Sequence, residues 1–402
     1  MNMKRTFSKE IILFIFGILL SLAIRLFFAL KGAALADVLR MYEVAQKVLS
    51  GGNPYQTYGF YIYPPLWMQV EYFSLLVSRV FLIPFQTVIK IWPNVADLLI
   101  GIVIYVFLTK NKVKPAISVP WSLFYILNPV SILISSVHGQ FDSIVSLFTL
   151  LSIFFITFFK TPKFFYLSAL MLGIAIAFKP NPVMLLPFFL LYKNVNFIKR
   201  IKYLLVTAVP ITLTLLPYVF ISPREVLTSI LGYSGAYDFG YAAIFRGLWY
   251  QNNANYWFPY SDQFLSISKV LFLFLSIFIY FFFANPPAGR AGKKVYVSSL
   301  ALYLLFLIVY FGISGQYYLW IIPLAIIARE KLVILFSILV TFALLAFYLF
   351  FNPSLIISSI VTKPFQSIFM SVYFFANVFL WIFCLFWLVK LIRNYVPVHK
   401  VR

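Results

Sequence analysis

Along the chain, runs of roughly twenty apolar residues alternate with short polar or basic breaks, the pattern of helices that cross a lipid bilayer. The first run, Ile11–Leu30, follows Lys4, Arg5 and Lys9 and gives way to a polar stretch, Lys31–Pro65, that holds Asp37, Arg40, Glu43 and Lys47. The basic start, the apolar run and Ala34-Leu35-Ala36 before Asp37 also have the outline of a cleavable leader. The run is long for a leader and Arg25 and Lys31 interrupt its end, so it reads as a retained helix. Leu66–Leu82 is apolar but carries Gln69, Glu71 and Arg79 and is barely long enough to cross. If it crossed, Lys110, Lys112 and Lys114 would fall outside, so it reads as an amphipathic helix in the outer interface. Ile89–Leu108 is then the second span. Alternation continues through basic inner breaks at Lys160/Lys163, Lys193–Lys202, Arg290–Lys294, Arg329/Lys331 and the tail from Lys390. The expected fold is a single all-α polytopic membrane domain, residues 1–402, with about twelve transmembrane helices and both ends inside.

Two places break the regular pattern. Phe164–Phe178 and Pro182–Tyr192 are too short to cross fully, and a Lys179-Pro-Asn-Pro182 corner joins them. Irregular backbone at depth survives only where protein or water covers it, so a cavity is expected there. Besides the first outer loop, residues 31–88, the largest outer segment is Ser222–Gln263. It is rich in Tyr, Trp, Asn and Gly and bears Arg224, Asp238, Arg246 and Asp262. Ordered loops of that length are usually functional. No internal repeat of fixed period is visible.

Composition agrees: 63% of the 402 residues are hydrophobic, 10% are charged, and mean hydropathy is +0.96, which excludes a soluble domain. The formal charge of +22 would suggest a nucleic-acid partner in a soluble chain. Here roughly two thirds of the 32 basic residues fall in the inner breaks and tails, so the charge is mostly topology and no nucleic acid is expected. Cys384 is the single cysteine, which excludes an intrachain disulfide and a cysteine metal site.

The acids lie the other way. Only Glu10 and Glu330 are inside; Asp37, Glu43, Glu71, Asp97, Asp142, Glu225, Asp238 and Asp262 are outer or intramembrane. Asp37, the His138-Gly-Gln-Phe-Asp142 turn, Lys179, Arg246 and the Gly315-Gln-Tyr-Tyr-Leu-Trp320 turn stand at outer ends of spans or in outer loops. That set suits glycosyl transfer from a lipid-linked phosphosugar. A glycoside hydrolase needs two carboxylates because its alkoxide leaving group must be protonated; a phosphate leaving group needs no proton. One carboxylate as base for the acceptor hydroxyl and cations for the departing phosphate suffice. Asp37 is the expected base, and Lys179 and Arg246 the expected phosphate partners. Glu43 is the fallback base, or pairs with Lys47 four residues on. Arg246 has Asp238 and Asp262 as alternative partners. Asp97, within a span, is expected to be a buried hydrogen-bonding residue. His138 and Asp142 are four apart and read as sharing a helix face, suited to sugar hydroxyls; no third ligand accompanies them, and no metal or other cofactor is expected.

The stretch from Asp37 to Gln46, then Gly52-Asn-Pro-Tyr55 and Tyr63-Pro-Pro-Leu66, resembles the first outer loop of GT-C superfamily glycosyltransferases, notably the dolichyl-phosphate-glucose glucosyltransferases of N-glycan assembly and the GPI first mannosyltransferase. The resemblance continues in order through Lys90–Leu108, His138–Asp142, Phe245-Arg-Gly-Leu-Trp249, Ala254-Asn-Tyr-Trp257 and Gly315–Trp320. It implies a polyprenyl- or dolichyl-phosphate sugar donor, a glycan or lipid-linked acceptor, inversion with Asp37 as base, and mannose ahead of glucose. It further implies substrate contacts from Tyr63, His138, Gln140, Asp142, Gln316, Tyr317 and Trp320. The site would lie on the extracytoplasmic face of a prokaryotic plasma membrane, or of the endoplasmic reticulum in a eukaryote. The rival class is a secondary transporter or lipid flippase, which would gather charge at the midplane and show repeated halves. A non-catalytic scaffold leaves the aromatic outer loop unexplained.

Overall fold

A computed structural model describes residues 9–31, 36–57, 59–159, 161–191, 195–233, 235–253, 257–284, 294–351 and 363–395. Ala34 and Leu35, the basic positions Lys4, Arg5, Lys160, Lys193, Arg290, Lys293, Lys400 and Arg402, and Ala254–Tyr256 of the second aromatic motif lie outside the described residues. The first outer loop follows α1 (Lys9–Lys31) with α2 (Ala36–Leu49) and α3 (Pro65–Phe81). Next come α4 (Phe85–Lys110), α5 (Pro115–Ile126) and α6 (Pro129–Ser131), which runs into a π-helical segment, Ile132–His138. The middle of the chain forms α7 (Asp142–Phe158), α8 (Pro162–Phe178), α9 (Leu186–Leu190) and α10 (Phe197–Ile221). The large outer segment contributes α11 (Pro223–Gly232) and α12 (Tyr241–Asn253). The last elements are α13 (Ser261–Ala284), α14 (Lys294–Val309), α15 (Ile321–Ala328), α16 (Val333–Phe351) and α17 (Lys363–Tyr395).

Seven of these helical runs are long and apolar enough to cross a membrane, and five more are apolar but shorter, among them Asp142–Phe158, Pro162–Phe178 and Gly315–Ala328. Among the described residues the apolar helices thus fall into two length classes. The short ones are inside: every residue of α15 is buried. A helix covered by its neighbours can stop early, because those neighbours rather than lipid receive its loosened ends. Peripheral helices show the opposite pattern. Only 6% of the apolar window of α10 is buried, against 50% for α4, which places α10 in lipid and α4 in the core.

The segment expected to be amphipathic is the helix α3. Its inward stripe is Trp67, Met68, Glu71, Ser74 and Leu75, packed towards α2 and α4. Glu71 is 1% exposed, and burial pushes its carboxyl well above the ordinary range. Lys179 leaves α8 in an extended conformation and a tight turn, Asn181–Leu185, follows, as the Lys-Pro-Asn-Pro corner implies.

Inside the bundle, Asp97 of α4 is fully buried and its partner is Arg25 of α1, 2.7 Å away. Each N–H of the guanidinium finds an acceptor. Nε donates to Ser21 Oγ (3.1 Å), Nη1 to Asn94 Oδ1 (3.1 Å) and Asp97, and Nη2 to Ile126 O (2.9 Å) and Ser131 Oγ (2.6 Å). Tyr125 donates to the other Asp97 oxygen at 2.7 Å. One charge therefore ties α1, α4, α5 and α6 together. Removing one member of such a pair leaves an uncompensated buried charge, so Asp97→Leu should cost about 3–5 kcal/mol in a detergent unfolding titration. The double variant Arg25→Met/Asp97→Leu should lose less than the two single losses combined; strictly additive losses would show that the two charges act independently.

Candidate active site

Asp37 stands in the first turn of α2, a helix whose Val38, Met41, Val44 and Ala45 face inward. Its carboxylate is 52% exposed, into a cavity of about 260 Å³ that Tyr63, His138, Tyr233, Asp238, Gln316 and Tyr348 help to line. Two groups hold its Oδ2. His138 Nε2 lies 2.9 Å away, and the Gln140 amide donates to the same oxygen. The other imidazole nitrogen, Nδ1, is 2.9 Å from the Tyr348 hydroxyl. With Asp37 ionised, His138 Nε2 donates to it. Asp37 Oδ1 takes no hydrogen bond from the described residues, and Asp37 lines the cavity. Burial by itself would raise the Asp37 carboxyl, but the hydrogen bond and charge of His138, the Gln140 amide and the charge of Lys179 outweigh it and hold it below the ordinary value of 3.8.

Beside this group sits a second one. Lys179 Nζ lies 2.9 and 3.0 Å from the two oxygens of Asp142, and Trp320 Nε1 donates to Asp142 Oδ1 at 2.9 Å. The ammonium is caged by the rings of Tyr317, Phe141, Tyr63 and Trp320, 4.9 to 5.7 Å from their centroids. Lys179 also lines a cavity of about 110 Å³ with Asn181, Tyr310 and Tyr317. This cavity and the Asp37 cavity share Ile62, Tyr63 and Tyr233 as a common wall. Trp67 of α3 stacks on Phe141 at 4.2 Å, so the first outer loop braces the turn that carries both groups.

The large outer segment reaches the site through its backbone. The amides of Asp238 and Phe239 donate to Ile313 O, and Gly235, at φ +88°, passes so close to the Gly312 carbonyl that any Cβ would strike it. Asp238 thereby lines the first cavity, and Arg246 pairs with it at 3.0 Å while covering Tyr237 and Trp257. Arg246 therefore reaches the site through Asp238.

The residues singled out in the sequence thus divide. Asp37, His138 and Gln140 touch one another; Asp142, Lys179 and Trp320 do the same, with Tyr63 and Tyr317 as walls; Gln316 lines the first cavity. Glu43 joins neither. It is exposed on α2 and pairs with Arg40 at 3.3 Å, not with Lys47, which turns to Thr57. His138 and Asp142 do not share a helix face either, because the left-handed Gly139 and the break at Phe141 send them to different partners. Tyr348 and Tyr233 were not singled out, since nothing in an apolar or aromatic run marks one tyrosine over another. Among the described residues no group of three His, Cys, Asp or Glu side chains is placed to hold a metal ion.

No protein-family model matches the sequence, and no curated protein does. The solved structures include a match: ArnT from Cupriavidus metallidurans, in a crystal structure bound to undecaprenyl phosphate. The likeness has a TM-score of 0.50 and 11% sequence identity, and covers 94% of this chain and 76% of ArnT. The chain is an integral multi-pass membrane protein with an all-α fold, an architecture it shares with ArnT.

Proposed function

We propose that the protein is a membrane glycosyltransferase that moves a hexose, mannose ahead of glucose, from a polyprenyl- or dolichyl-phosphate carrier to an acceptor hydroxyl. The observation that carries this reading is the Asp37 carboxylate. One of its oxygens is held by His138 and Gln140, the other takes no hydrogen bond from the described residues, the residue lines a cavity, and a second cavity with a caged ammonium lies behind a shared wall. The fold shared with a protein crystallised with undecaprenyl phosphate supports a donor of that class.

In this reading the acceptor hydroxyl enters the first cavity and gives its proton to Asp37 Oδ1 as its oxygen attacks the anomeric carbon. The bond from that carbon to the phosphate oxygen breaks, and its electron pair leaves with the phosphate, so no general acid is required. Attack opposite the leaving group inverts the anomeric centre. Two of the three Lys179 N–H groups serve Asp142, which leaves one for an anion in the second cavity. Asp142 and Trp320 keep that ammonium in place. His138, with Tyr348 behind it, fixes the rotamer of Asp37 and favours its ionised form.

Purified protein in lipid nanodiscs, given lipid-phosphate-mannose or lipid-phosphate-glucose, should lose transfer by about 10²–10⁴-fold in Asp37→Asn. Full transfer by that variant would remove Asp37 as base, and no transfer by the wild type from any lipid-linked sugar would remove the class. The acid limb of kcat/KM follows the base. A carboxyl held below its ordinary value stays ionised as pH falls, so activity should persist until pH drops below 3.8. In His138→Ala the desolvation remains while the compensating hydrogen bond and charge go, so the limb should move to higher pH. A limb unmoved by that substitution would show that His138 does not set the basicity of Asp37.

A further inference from the structure

His138, which meets Asp37, ends an uncommon piece of backbone. The π-helical segment Ile132–His138 holds one residue more per turn than an α-helix would, and such segments persist only where surrounding contacts hold them. Those contacts come from the buried polar group around Arg25. Ser131, just before the segment, accepts from Arg25 Nη2 at 2.6 Å. Ser136, inside it, donates to Asn94 Oδ1 at 2.6 Å, and the same oxygen accepts from Arg25 Nη1 at 3.1 Å. Asn94 is fixed in turn by donating to Lys90 O at 2.8 Å. Beyond the segment, Ser143 donates to Pro93 O at 2.8 Å, so both flanks of the turn are bound to α4. Gly139 closes it at φ +85°, where a Cβ would press on the Val38 and Lys90 side chains at 3.0–3.1 Å. Arg25, Asn94 and Ser136 are all buried, and none lines the Asp37 cavity.

We propose that Arg25, Asn94 and Ser136 are positioning residues: they hold the π-helical register that delivers His138 Nε2 to Asp37. Relaxation of the segment to an α-helix would turn everything after it by about 100° and carry the imidazole off the carboxylate. The catalytic consequence rests on the reading of Asp37 as base; the positioning itself does not.

The sequence contains two histidines, His138 and His399. In a His399→Gln background, full-length protein labelled with ¹⁵N-histidine and held in nanodiscs therefore reports His138 alone. Asp37→Ala and Tyr348→Phe supply reference signals for an imidazole that has lost its usual partner on each nitrogen. Ser136→Ala and Asn94→Leu should move the His138 nitrogen signals most of the way to the Asp37→Ala reference. Ser122→Ala, which removes a buried hydroxyl bonded to Ser118 O outside this group, should leave them in place. Unmoved His138 signals in folded Ser136→Ala, with only thermal stability lowered, would overturn the proposal; if Asn94→Leu does not fold, Ser136→Ala decides it. Because the readout needs no turnover, signals that move as expected in a protein with no transfer activity would reject the enzymatic reading and leave the positioning standing.

Discussion

A guanidinium inside a lipid-embedded bundle is tolerated only when every one of its N–H groups has an acceptor, and Arg25 meets that demand with five. The acceptors come from α1, α4 and the α5–α6 corner, so satisfying this one charge fixes how the first third of the bundle packs. Apolar side chains cannot do the same work, since between lipid-exposed helices there is little hydrophobic force to select one rotation over another. The same network places Asn94 against Ser136 and so reaches the segment that ends in His138. The site thus inherits its geometry from a polar interaction in the interior.

Two carboxylates near the site receive opposite treatment. Asp142 is saturated by Lys179 and Trp320 and has the role of a counter-ion, keeping an otherwise expensive buried ammonium in place. Asp37 is held by the described residues on one oxygen only, and it lines the cavity. That asymmetry separates a group able to accept a proton from one that fixes charge. It fits chemistry in which a phosphate departs without a proton.

Much of this was legible in the sequence, for identifiable reasons. The lipid-crossing pattern is a solvent effect and shows in hydropathy alone. The Lys179 corner is visible because proline forbids a helix there, and Asp97 because a carboxylate inside a span needs a partner. What the sequence hid are pairings between distant segments. Arg25 read as an interruption of the first span, although its partner lies 72 residues away. Tyr348 is one ring in an apolar run until the fold sets it on His138. The His138–Asp142 spacing suggested one helix face, but the extra residue of a π-helical turn and the glycine after it separate the two. The i, i+4 rule favours Lys47 as the partner of Glu43, whereas Arg40 at i−3 takes it and Lys47 turns to Thr57.

In the proposed reaction an acceptor hydroxyl at Asp37 and a donor phosphate at Lys179 meet across the wall formed by Ile62, Tyr63 and Tyr233. A cryo-electron-microscopy structure with polyprenyl phosphate bound tests this most directly. The phosphate should lie within hydrogen-bond reach of Lys179 Nζ in the smaller cavity, with Asp37 free of it in the larger one. A phosphate bound away from Lys179, or one seated directly on Asp37, would contradict it.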